Sequence, residues 1–205
     1  VFSDWENGRY VLRISGEVQL SRVFGEKFRL RRTISTVHGE NTVTIEDHVV
    51  NDGFAEVPFM QLMHMNFGWP LVSETARLEA EEHPVTPQNA VAEKDLAHWA
   101  EMTPPQPGFV EEVFYHDLPA GADGFAGISL VNPEHKLKLR VEYRKKELPR
   151  LVEWKMMGQG EYVLGLEPAN CLPEGQSKNI EKGVLRRLAP GESSTSVVRV
   201  SVSQI

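Results

Sequence analysis

Residues 28–53 read FRLRRTISTVHGENTVTIEDHVVNDG, and this stretch decides the fold class. Within it, Asn41 to Val50 sets Val43 and Ile45 against Thr42 and Thr44, the two-residue alternation of a half-buried strand. Phe28 to Val37 alternates in part, through Leu30, Arg32 and Ile34, between Gly25 and Gly39. The cluster Asn51-Asp52-Gly53 closes the second strand with turn-forming side chains.

The same pattern extends both ways. Arg9 to Val18 follows an Asn7-Gly8 turn, and Glu56 to Met65 reads as one strand ended by Asn66 to Pro70. Strands resume at Val110 to His116, Phe125 to Val131, Lys136 to Arg144, Leu151 to Met157, Glu161 to Leu166, Gly183 to Leu188 and Ser194 to Val202. Turn residues separate them, and helical periodicity is nearly absent, which predicts an all-β sandwich or barrel. Leu78 to Pro107 departs from the pattern, being acidic and rich in proline. Ala90 to Ala100 within it reads as a short helix, with Leu96 and Trp99 inward and Asp95 and His98 outward. An irregular excursion of this length is a lid or a packed insertion.

Composition narrows the function. The 205 residues suffice for one domain. A single cysteine, Cys171, rules out an internal disulfide framework. The net charge of -7 lacks the basic excess of a nucleic-acid binder. No apolar run reaches the ~20 residues of a membrane helix, and VFSDWENGRY has no signal-peptide core. The reading is therefore cytoplasmic, with no nucleic-acid or membrane partner. The chain starts at Val1 without an initiator methionine, as a piece of a longer polypeptide would. Exposed sheet edges would permit an oligomer. Phosphate-cradling glycine motifs, paired-histidine metal motifs and a nucleophile elbow are absent from the sequence.

Two polar residues stand out in apolar strands. His64 lies in MQLMHMNFGWP and shares a strand face with Leu62 and Asn66. It reads either as a core histidine with a satisfied hydrogen bond or as an acid or base working near neutral pH. Glu167 ends EYVLGLEPANC just before Pro168. It is either an edge carboxylate reaching solvent or one whose buried position raises its pKa towards a useful base. Trp154, in LVEWKMMGQG beside Lys155, is either core or a stacking surface for a sugar. Glu111, Glu112 and His116 lie on a further polar strand, on which Glu112, Phe114 and His116 share one face.

At His64 and Glu167 the sequence resembles the galactose mutarotase-like (aldose 1-epimerase) superfamily. HMNFGWPLV is similar to the segment carrying that family's catalytic histidine. WKMMGQGEYVLGLEPANC, followed by GVLRRLAPGES, is similar to the C-terminal part of a bacterial aldose 1-epimerase-like branch. RYVLRISGEV and residues 29–53 fit the same group. The resemblance implies an antiparallel β-supersandwich, with residues 1–205 forming a single domain that lacks its N-terminal third. It implies anomer interconversion of a sugar without metal or cofactor, with Glu167 as base and His64 as acid. It implies that their side-chain ends face one cleft, a sugar ring apart. Asn66, Trp154, Lys155, Glu111, His116 and Asn170 are the implied substrate-binding residues. The family's sugar-gripping aspartate has no clear counterpart, and Glu111, His116 and Asp117 are the candidates to replace it. A competing reading keeps the sandwich as a carbohydrate-binding module with Trp69, Trp99 and Trp154 as stacking platforms. A third is a β-domain with no ligand.

Overall fold

The computed structural model describes residues 1–205. In chain order the strands are β1 (Phe2–Glu6), β2 (Arg9–Ser21), β3 (Lys27–Val37), β4 (Thr42–Asn51), β5 (Val57–Phe59), β6 (Met65–Gly68), β7 (Arg77–Glu79) and β8 (Val85–Pro87). Helix α1 (Ala90–Lys94) and a single 3-10 turn (Leu96–His98) follow. The rest comprises β9 (Glu112–His116), β10 (Phe125–Asn132), β11 (Leu137–Arg144), β12 (Arg150–Gly158), β13 (Glu161–Ala169), α2 (Gln176–Glu181), β14 (Arg186–Leu188) and β15 (Ser193–Gln204).

All strand pairing within the sheets is antiparallel. An eight-stranded sheet runs β1-β2-β3-β4-β15-β11-β10-β7, and a five-stranded sheet runs β6-β13-β12-β9-β8. They pack face to face, with Ile128, Leu130, Val141 and Val198 of the large sheet meeting Leu151, Leu164 and Leu166 of the small one. This is the sandwich that the alternation predicts. The two-stranded β14–β5 sheet seals one end through Leu188 and Phe59 against Val49.

Two local expectations change, and one open alternative is decided. Glu56 to Met65 is two strands rather than one. The Asn170 side chain takes the Gln61 N–H at 2.7 Å and donates to the Phe59 carbonyl at 3.2 Å. This turns the chain between β5 and β6. The helix at Ala90 is shorter than predicted. Asn89 caps its start through the Val91 and Ala92 amides, and the backbone then tightens into the 3-10 turn. The excursion is a packed insertion: β8 pairs with β9, Met102 is buried in the main core, and the Tyr162 hydroxyl donates to the Thr103 carbonyl.

Candidate active site

Register builds the site. Gly165 pairs with Asn66 and Leu166 with Met65, and an isolated bridge joins Ala169 to Leu62. One continuous register therefore sets His64 opposite Glu167. On the other side of β13, Glu167 faces Val152 and Gly165 faces Trp154. Alternation then places His64, Asn66, Gly165, Glu167, Val152 and Trp154 on one face of the five-stranded sheet. Met65, Leu164 and Leu166 take the other face and enter the core.

The Glu167 side chain is 3% exposed and that of His64 is 50% exposed, with Nε2 3.0 Å from Oε1. The imidazole lies off a hydrogen-bonding direction, so Oε1 accepts no well-aligned bond. Burial pushes the Glu167 carboxyl above the usual carboxylate range, and a charged His64 pulls it back down. The ring of His64 stands edge-on to Trp154 at 5.7 Å. The Trp154 indole N–H donates to Glu111 Oε2 at 2.7 Å. A half-exposed acid–base group thus rests on a buried carboxylate, beside an aromatic wall ending in a second, exposed carboxylate.

The two ends are in direct contact, whereas the sequence reading places them a sugar ring apart. Oε1 is buried, and the half-exposed imidazole packs directly against it. Asn66 and Glu111 are exposed on the same side as Glu167.

Lys155 and His116 are not brought there. The pairing Trp154↔Val113 and Lys155↔Glu112 puts both on the opposite face, where they are 2% and 1% exposed. Lys155 Nζ donates to the His98 carbonyl at 3.1 Å, and His116 Nε2 meets Glu153 Oε2 at 3.0 Å. Asn170 is consumed by its backbone contacts with Gln61 and Phe59. Asp117 pairs with Lys145 at 2.5 Å. Trp69 is exposed, and Trp99 packs beside His83 and His116.

Sequence reasoning passes over Gly165. A Cβ there would meet Glu167 Oε1 at 2.6 Å and Trp154 Cβ at 3.2 Å. The glycine leaves the space in which the carboxylate lies. Its only sequence signal is a glycine two residues before Glu167 in an otherwise apolar strand. A cavity of about 470 Å³ lies elsewhere, between the segment 58–63 and the large sheet at Phe28, Leu30, Arg32 and Asp47. No group of three or more His, Cys, Asp or Glu side chains is arranged to hold a metal ion.

A family model described as "Domain of unknown function (DUF4432)" matches residues 1–202. No curated protein matches the chain. Among solved structures, a Klebsiella pneumoniae protein provisionally named aldose 1-epimerase superimposes with a TM-score of 0.90 at 24% identity. The alignment covers 94% of this chain and 51% of that one, so the chain spans about half the length of this relative. A galactose mutarotase-like protein from Clostridium acetobutylicum gives 0.70 at 14% identity, covering 100% of this chain and 66% of that one. A galactose mutarotase related enzyme from Lactobacillus acidophilus gives 0.67 at 13%, covering 99% and 71%. At these identities the likeness establishes the fold, which is the galactose mutarotase-like β-sandwich.

Proposed function

The chain belongs to the DUF4432 family, and from the fold and the His64–Glu167 pair we propose an aldose 1-epimerase-like enzyme that interconverts the anomers of a sugar. The observation that carries the reading is the 3.0 Å contact between a half-exposed imidazole and a buried carboxylate. Such a pair holds one group able to take a proton and one able to give one.

In the proposed reaction the His64 ring swings aside as the sugar enters. The Glu167 carboxylate takes the proton from the anomeric hydroxyl while the His64 imidazolium protonates the ring oxygen. The C1–O5 bond breaks and an open aldehyde forms. Rotation about C1–C2 turns the other carbonyl face to O5. Ring closure returns the O5 proton to His64, and the Glu167 proton goes back to O1. Glu111 and Asn66 would hold sugar hydroxyls, and the Trp154 edge would bound the ring. Neither Lys155 nor His116 has a place in this scheme, because both lie behind the sheet. The reaction as written needs no cofactor. Coverage of about two-thirds of the Clostridium and Lactobacillus proteins supports reading the chain as part of a mutarotase-like domain. The sequence resemblance makes that part C-terminal, and we read the protein as cytoplasmic.

The test is anomer exchange, followed by NMR over a panel of aldoses and uronic acids. Exchange above the buffer rate that falls about 10²–10⁴-fold in Glu167→Gln is the expected result for a general base. Sugar-dependent shifts without accelerated exchange would replace the enzyme with a carbohydrate-binding module.

A further inference from the structure

At one end of the sandwich, three cations border a cavity of about 250 Å³. Lys146 comes from the turn between β11 and β12, Arg150 opens β12, and Arg186 opens β14. Pro149 and Val184 supply an apolar wall between them. The sequence neighbours of these cations are neutralised and they are not. Lys145 pairs with Asp117 and Arg187 with Glu56, whereas Lys146, Arg150 and Arg186 make no ion pair.

Two of the three are held in place by neutral partners. Arg150 Nη1 donates to the Asn170 carbonyl at 3.0 Å, and Arg186 Nη1 donates to Ser194 Oγ at 2.9 Å. The Arg186 guanidinium also lies over the Phe59 ring, 5.6 Å from its centre. A guanidinium carries five N–H donors, so each arginine keeps four without a protein acceptor. Asn170 also lines the cavity, but its side chain is spent on Gln61 and Phe59. One carboxylate, Glu147, lines it as well, and its Oε2 is buried with no hydrogen-bond partner. Both arginines are pinned elsewhere and stay off it, so the cations stand ready around an open space.

We propose that Lys146, Arg150 and Arg186 form a binding site for a small dianion, either a phosphate ester or a dicarboxylate. Three positive side chains against one negative leave this wall with a positive surplus, in a chain whose net charge is -7. Holding like charges around one space is unfavourable, and a bound dianion removes that cost. The planar fork of a guanidinium matches a carboxylate or a phosphate with two parallel hydrogen bonds. The cavity has the volume of about eight water molecules in the liquid. That suits a phosphate group or a short dicarboxylate.

The site is separate from the His64–Glu167 pair. Arg150 is the first residue of β12 and Asn170 follows the last residue of β13, so the cavity lies past the strand ends. None of His64, Asn66, Glu111, Trp154 and Glu167 lines it. Anion binding there does not require the sugar chemistry proposed for that pair.

Titration with sulfate, inorganic phosphate and succinate, followed by backbone amide shifts in NMR spectra at constant ionic strength, tests the site. Acetate is the single-charge control. Saturable shifts centred on residues 146–150 and 184–186 are the expected result, with at least one dianion binding about tenfold more tightly than acetate. Phosphate and sulfate ahead of succinate would identify a phosphate ester as the ligand class, and the reverse order a dicarboxylate. Arg150→Gln and Arg186→Gln should each weaken the tightest anion about 10- to 100-fold, as loss of a charged hydrogen-bonding partner requires. Arg187→Gln removes a cation already paired with Glu56 and should leave binding unchanged. Shifts that never saturate, an affinity no greater than that for acetate, or undiminished binding in both arginine variants overturns the proposal. So do shifts centred on residues 64–66 and 165–167, which would put the anion in the sugar cleft. The wild-type shift map locates the anion even where a variant fails to fold.

Discussion

Glu167 is held in place by what is missing beside it. The 2.6 Å separation between its Oε1 and a Cβ at Gly165 is far inside van der Waals contact, and the Trp154 Cβ at 3.2 Å closes the other side. In Gly165→Ala the carboxylate must therefore move, and overpacking of this kind costs about 1–3 kcal/mol. Urea unfolding should show that loss. If Glu167 is the base, exchange should also drop by roughly 10²-fold, because a displacement of about 1 Å has that effect on a positioned group. Unchanged stability together with unchanged exchange would mean the strand yields instead. His64 and Glu167 are legible in the sequence because each is a lone polar group in an apolar strand. Gly165 is not, since a glycine in a strand signals close approach without saying what approaches.

Strand alternation reveals which residues share a face, but not which face is inside. Glu112, Phe114 and His116 share one face by their spacing, and so do Glu153 and Lys155 on the neighbouring strand. A polar face on a strand reads as solvated. Here it is the inner one, tolerated because His116 meets Glu153 and Lys155 meets the His98 carbonyl. Those partners come from across the sheet and from the excursion, so local patterning cannot show them. The break between β5 and β6 is hidden for the same reason, as it depends on Asn170, about 110 residues away. Asn170→Ala leaves the Gln61 N–H and the Phe59 carbonyl without these bonds. Each unmade buried bond costs about 1–3 kcal/mol, so the substitution should lower stability by about 2 kcal/mol or more in urea. Hydrogen exchange should rise first in residues 57–64, which carry His64. A loss spread evenly over the molecule would instead make Asn170 a general core residue.

The two sheets do not match in width, and this shapes the whole molecule. The large sheet's inner face continues from Val198 and Ile45 on to Ile34, Ile14, Val18 and Leu20, while the five-stranded sheet ends at β6. Ile14 is 58% exposed, Val18 66% and Leu20 49%. The alternation over residues 9–37 looks the same whether or not that face is covered, so the sequence predicts the strands but not the overhang. A mainly apolar exposed face of this kind, interrupted by the Arg32–Asp47 ion pair, is normally an interaction surface, although a net charge of -7 opposes indiscriminate aggregation. The 205-residue chain should therefore bind an apolar dye and self-associate as its concentration rises, which sedimentation velocity would detect. Replacing both Ile14 and Val18 by threonine keeps β-propensity while removing apolar surface. The double variant should sediment as a monomer, with its unfolding midpoint little changed, because exposed substitutions usually fall within about 0.5 kcal/mol. A wild-type chain that stays monomeric and binds no dye would show that β1 to β3 fold back to cover the face in solution. A variant that loses several kcal/mol would show the same thing, because only buried side chains carry that much stability.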